Sequence, residues 1–159
     1  MKNIMLAIGF TALVIIGLII HLLCARPDDR HPLVLSCRAE VQFDIQLPGS
    51  TTLMNGSLSL TTLGRERLAL QYSGQLIANQ QHTTLSRTLI MNYRYHPENH
   101  ALELEYIRSH VSDVDTTPDD VFYRALLKKD AFIVTLRQIA NNARLISLPG
   151  SPLYICIDQ

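Results

Sequence analysis

The chain has 159 residues and a mass of 17.9 kDa, with 14 Lys plus Arg against 14 Asp plus Glu. Zero net charge excludes a strongly basic nucleic-acid binder. Apolar residues at 47% with charged residues at 18% exclude a disordered chain. The length allows one domain, or one small domain plus a membrane segment.

The excess apolarity sits at the amino end. Residues 4–23 carry no formal charge, and His21 is their only strongly polar side chain. Such a run is about 30 Å long as a helix, the thickness of a bilayer core. It is apolar all round, unlike a core helix with one polar face. A cleavable leader wants a shorter apolar core and small residues before the cut. Ala25 fits that pattern, but Leu23 does not, and Pro27 follows closely. A lipoprotein site at Cys24 also wants a small residue where Leu23 stands. The expectation is an uncleaved signal anchor with a single span.

Its flanking charges are ambiguous, with Lys2 before the span and Arg26 and Arg30 after it. The short leading tail and the cysteines that follow favour the amino terminus inside. The expected organisation is a cytoplasmic tail at 1–3, a transmembrane helix at 4–23, a linker at 24–32 and a periplasmic β-rich domain at 33–159.

From Leu33 the chain alternates. Leu33, Leu35, Cys37, Ala39, Val41, Phe43, Ile45 and Leu47 are apolar, and the residues between them, Val34 aside, are polar. Period two over this length predicts a long strand with one buried and one wet face. Pro48-Gly49 turns the chain. Thr52, Met54, Gly56, Leu58 and Leu60 share a face of a second strand. Asn55-Gly56 also fits a hairpin turn, but the arms would be very short, so a strand with Gly56 at a bulge or close approach is preferred.

Residues 63–66 turn again, and Leu68, Leu70, Tyr72, Gly74 and Leu76 share a face of strand three. Residues 79–82 read as a loop. Strand four carries Leu85, Leu89, Met91, Tyr93 and Tyr95 on one side, interrupted by Arg87. A turn at 97–100 leads to strand five at 101–111, with Leu102, Leu104 and Tyr106 on one side.

A helix is predicted at 118–129. Thr117 suits the N-cap, Pro118 the first helical position, and Asp119 and Asp120 the positive end of the dipole. Val121, Phe122, Ala125 and Leu126, with Leu127 beside them, form its apolar stripe, and Lys128 and Lys129 close it. Strands at 131–139 and 144–148 are joined at Asn141-Asn142, and a turn at 149–152 leads to a last strand at 153–157. The fold class is mainly β: a curved or barrel-like antiparallel sheet of about seven strands with one short helix. Closure protects the edges of such a sheet.

Cys37 lies on the inward face of the first strand and Cys156 in the last. A bridge between them would enclose a loop of over a hundred residues, worth about 4–5 kcal/mol on chain-entropy grounds. Behind a membrane span this pairing is preferred to two free thiols. Cys24 is then the odd cysteine.

His96 and His100 flank a turn four residues apart, but no further ligands stand nearby, so they read as solvated turn residues. Asp113, Asp115, Asp119 and Asp120 lack the glycine and distal glutamate of a calcium loop, and read as helix capping and loop solubility. Asn55-Gly56-Ser57 matches a glycosylation acceptor, a pattern common by chance. Tyr72, Tyr93, Tyr95 and Tyr106 lie on neighbouring predicted strands and either line an apolar ligand pocket or serve as core and rim aromatics. No nucleophile elbow, zinc-protease or Walker motif occurs, so the expectation is a non-enzyme without cofactor or metal.

A short positive tail, one span, an early Cys in the first strand and the terminal residues 152–158, PLYICID, resemble the FidL-like family of enterobacterial inner-membrane proteins. Met54-Asn55-Gly56-Ser57-Leu58, Tyr72-Ser73-Gly74, residues 87–93 and the stretch 115–120 are similar too. By arrangement that family resembles ToxS-type proteins, small inner-membrane partners of membrane-bound transcription regulators. The resemblance implies an anchored periplasmic accessory that binds and stabilises or modulates such a regulator. The alternative is a stand-alone envelope protein of barrel-like fold that binds a small apolar ligand.

Overall fold

The computed structural model describes residues 15–17, 33–47, 50–64, 66–127, 130–149 and 151–159. Residues 15–17 are helical. Among the described residues no helix is long and apolar enough to cross a membrane. The span expected at 4–23 falls almost wholly outside them, as do Cys24, the linker at 24–32, Pro48-Gly49, Lys128 and Lys129.

Eight strands follow in chain order: β1 (Ser36–Leu47), β2 (Ser50–Thr62), β3 (Arg67–Ala78), β4 (Gln81–His96), β5 (Ala101–Val111), β6 (Ala131–Ala140), β7 (Ala143–Leu148) and β8 (Ser151–Asp158). They form a closed antiparallel barrel in which each strand neighbours the next and β8 meets β1. The count is eight, against the about seven expected, and the three strands read from the sequence at 131–139, 144–148 and 153–157 are all present, each somewhat longer. One helix, α1 (Asp119–Leu126), lies between β5 and β6.

Alternation sets the faces, because successive strand side chains point to opposite sides. On β1 Cys37, Ala39 and Val41 are buried, while Arg38, Glu40 and Gln42 are exposed. On β3 Leu68, Leu70, Tyr72 and Leu76 are buried. With Met54, Leu58, Leu60, Leu85, Leu89, Met91, Leu102, Val134, Leu136 and Ile146 they fill the barrel interior. An eight-stranded barrel is narrow enough for side chains alone to do this.

Gly56 pairs with Gly74 across β2 and β3. A Cβ on Gly56 would lie 2.1 Å from the Ser73 carbonyl oxygen and 2.7 Å from Gly74 Cα. The two backbones approach too closely for any side chain, so Asn55-Gly56 is a strand interior and not a hairpin tip.

Residues 79–82, expected as a loop, hold only a two-residue turn. Asn79 and Gln80 have φ of 50° and 66°, the left-handed pair that joins twisted strands tightly. Ala78 therefore pairs with Gln81, and His82 belongs to β4.

The helix start differs from expectation. Pro118 holds the N-cap position with no side-chain cap bond. Thr117 is buried, and its hydroxyl bonds the Thr84 carbonyl and the Thr83 hydroxyl, both at 3.0 Å. The inward pull of β4 wins over local capping. In the last turn Arg124 bonds Asp120 at 2.8 Å.

Two ladders in the barrel are short. β5 and β6 pair only from Ala101↔Thr135 to Glu105↔Ala131. Residues 106–111 of β5 lie instead beside α1, where Tyr123 takes hydrogen bonds with Tyr106 at 3.2 Å and Ser109 at 2.9 Å. β1 and β8 pair only through Cys37↔Asp158 and Arg38↔Ile157, extended by the Gln159 amide donating to the Ser36 carbonyl at 2.9 Å.

Candidate functional site

Beyond Arg38 the β1–β8 ladder stops. Residues 39–47 of β1 keep β2 on one side, but among the described residues no strand pairs with their other side. Nine residues of free edge at about 3.3 Å each give roughly 30 Å of unpaired backbone donors and acceptors. On β8, Tyr154, Ile155 and Cys156 pair with β7 and have no β1 partner, and Leu153 falls at a register irregularity between them and Pro152. The result is a seam between β1 and β8 that carries no ladder pairing beyond Arg38.

The disulfide sits where the ladder ends. Cys37 and Cys156 are bonded with a Cα–Cα distance of 5.4 Å, as the sequence suggested, and both are buried. It ties the first strand to the last across 119 residues of sequence.

Burial fades along the free edge. Val41 is buried, but Phe43, Ile45 and Leu47 on the same inward face are only half-buried. Tyr154 of β8, also inward, is half-buried and packs on the core. Burial first, and then the neighbouring Tyr72, raise the Tyr154 phenol above its ordinary range. The outer face of β8 is apolar too: Leu153, Ile155 and Ile157 are 37%, 50% and 44% exposed. A strand apolar on both faces normally lies covered on both.

The outer face of β1 is polar along the same stretch, with Glu40, Gln42, Asp44 and Gln46 exposed. Arg38 bonds Glu40 at 3.3 Å, and Gln46 donates to Asp44 at 2.9 Å.

A second feature is buried and was missed from sequence. Arg87 does not interrupt the inward face of β4. It occupies it, 2% exposed. Its guanidinium donates to Asp115 through Nε at 3.0 Å and Nη2 at 3.2 Å, to Asp119 at 2.6 Å and to the Thr117 carbonyl. It also lies over the Phe122 ring, 4.8 Å from the centroid. Asp115 further accepts the Ser86 and Thr117 amides, each at 2.8 Å. Burial pushes the Asp115 carboxyl up, but the Arg87 and amide hydrogen bonds and the Arg87 charge outweigh it and hold it below the usual carboxylate range.

Asp115 is thus no solubility residue, and the cluster locks the β5–α1 segment onto β4. The sequence signal was there: Arg87 has the inward parity of Leu85 and Leu89, and a buried charge needs a buried partner.

The four tyrosines are dispersed. Tyr72 is buried edge-on against Phe122 at 5.5 Å. The Tyr93 hydroxyl reaches the Leu33 and Gly64 carbonyls at 3.4 and 3.5 Å. Tyr95 bonds His100 Nδ1 at 3.2 Å, and Tyr106 bonds Tyr123. A shallow, open depression lined by Asp120, Tyr123, Arg124 and Leu127 contains none of the four.

His96 lies within 3.4 Å of Glu98 and 3.2 Å of Glu103. His82, His100 and His110 are exposed. Among the described residues no group of three or more His, Cys, Asp or Glu is arranged to hold a metal ion.

The chain matches the family model described as "FidL-like putative membrane protein" over residues 74–156, half of its length. No curated protein and no solved structure matches it. The matched stretch runs from the glycine contact on β3, through Arg87, Asp115 and α1, to Cys156, so the chain belongs to the FidL-like family.

Proposed function

We propose that this chain is a non-enzymatic binding protein, an inner-membrane accessory whose periplasmic barrel docks on a membrane-bound transcription regulator and stabilises or modulates it. One observation carries the binding mode: among the described residues the β1–β8 ladder ends at Arg38 and leaves residues 39–47 as a free edge. Such an edge offers a row of main-chain hydrogen bonds to an added strand. The half-buried Phe43, Ile45 and Tyr154 beside it supply apolar surface for that strand to cover.

Anchorage is supported by the apolar run at 4–23 and by the family's description as a membrane protein. An oxidising compartment is supported by the Cys37–Cys156 disulfide. The regulator as partner rests on the likeness in arrangement to ToxS-type proteins.

Deletion of this protein is expected to lower the regulator's level or output, and the full anchored chain is expected to restore it. Unchanged level and output in the deletion, with no partner captured by crosslinking in native membranes, would remove the proposal.

A further inference from the structure

We infer that the free edge of β1 is matched to one kind of occupant: an extended strand of another protein in which apolar residues alternate with lysine or arginine. This rests on the edge-binding reading above and adds the chemistry of the partner strand.

The two faces of the edge make different demands. A strand laid along residues 39–47 presents alternate side chains to the inside and the outside of the barrel. Its inward residues fall beside Val41, Phe43 and Ile45, where burial is fading, so apolar side chains extend the core there. Its outward residues fall beside Glu40, Gln42, Asp44 and Gln46. Two of those four are carboxylates, and the described base on this face of β1, Arg38, stands outside the free stretch and bonds Glu40. Opposite charges directly across a strand pair stabilise it, and like charges oppose it.

The far side of the seam narrows the choice further. Outward on β8 stand Leu153, Ile155 and Ile157, uncharged and partly exposed. Lysine and arginine lay their methylene stems on apolar surface while the cationic head reaches elsewhere. A basic residue in the seam satisfies both walls: its head meets Glu40 or Asp44, and its stem covers Ile155. A threonine or serine offers no charge to β1 and little apolar stem to β8.

The same charges disfavour a second copy of this chain. Antiparallel self-pairing of β1 centred on Gln42 sets Glu40 of each copy opposite Asp44 of the other. Carboxylates on an edge strand are a known guard against such self-association. The chain as a whole carries no net charge. The preference is therefore local to the seam and not a general attraction for cations.

The test uses the full chain in phosphatidylcholine nanodiscs and two labelled peptides of about nine residues, one alternating valine with lysine and one alternating valine with glutamate. The lysine peptide is expected to bind at least about tenfold tighter at low salt. The Glu40→Lys/Asp44→Lys variant is expected to reverse that order; both positions are exposed, so the fold survives. Equal binding of the two peptides, or an unchanged order in the variant, overturns the inference.

A photoreactive residue in place of Gln42, irradiated in native membranes, reads the natural occupant. A captured segment of another protein with alternating apolar and basic residues supports the inference. A captured segment without them overturns it and leaves edge binding standing. Capture of a second copy, of this chain's own residues 24–32, or of nothing overturns it. No capture from Gln42 and none from Ile155 removes the edge-binding reading as well.

Discussion

Arg87 on β4 and Asp115 before α1 form an ion pair at 3.0 Å with side chains 2% and 1% exposed. A strand edge of roughly 30 Å without a ladder partner among the described residues and a sealed ion pair thus occur in one small barrel, and they have different consequences. The pair fixes the helix-bearing segment over the wall. The edge lies along the shortest ladder of the closed barrel.

Removing one member of the pair strands the other. Arg87→Ala leaves Asp115 buried without its cation and is expected to cost about 3–5 kcal/mol. The double change Arg87→Met/Asp115→Leu is expected to recover only part of that loss, since it removes the stranded charge but also the acceptor of the Ser86 and Thr117 amides. Chemical denaturation of the three proteins checks both statements.

The same pair sets an acid limit. The Asp115 carboxyl is held below its ordinary value in the folded state. A depressed folded value stabilises the fold above the unfolded pKa of about 3.9, and that contribution is lost as pH falls through the lower folded value. Melting temperature is therefore expected to drop steeply below about pH 4. Asp115→Asn, less stable at neutral pH, should show a shallower acid slope. Equal slopes would mean that other carboxylates carry the effect.

Cys37→Ser and Cys156→Ser are each expected to lower stability, by up to about 4–5 kcal/mol for a loop of 119 residues. The bond stands where the β1–β8 ladder stops, so its loss should widen the seam. Limited proteolysis is expected to cut first within β1 or β8. First cuts in β3 or β4 would show that the seam does not depend on the bond.

Gly56→Ala and Gly74→Ala are each expected to destabilise by about 1–3 kcal/mol or more, because each Cβ enters the facing backbone. The double variant should fall short of the sum of the two, since both insert atoms into one gap. Thermal melts of the three variants decide this.

Much of the barrel was legible in the sequence because its strands are half wet. Alternation from Leu33 to Leu47, turn residues at 97–100 and Asn141-Asn142, and a cysteine at each end mark the strands and the disulfide. Residue type failed as a guide where tertiary partners decide. Arg87 reads as polar, yet Asp115, Asp119 and Phe122 make the interior habitable for it. Thr117 reads as a cap, yet β4 holds its hydroxyl. Asn79-Gln80 reads as part of a loop, yet two left-handed residues make the tightest of hairpins. The free edge was not visible at all, because the alternation of β1 is the same whether or not a neighbour pairs with it.

Amide hydrogen exchange over residues 39–47 tests the central claim most directly, measured in the purified full chain and in the membranes of the cells that produce it. A free edge leaves about half of these amides, those pointing into the seam, without a strand partner. Those are expected to exchange fast in the purified chain and to slow in native membranes, where the proposed partner strand would pair with them. Uniformly slow exchange in the purified chain, or the same fast amides in both preparations, would contradict the account.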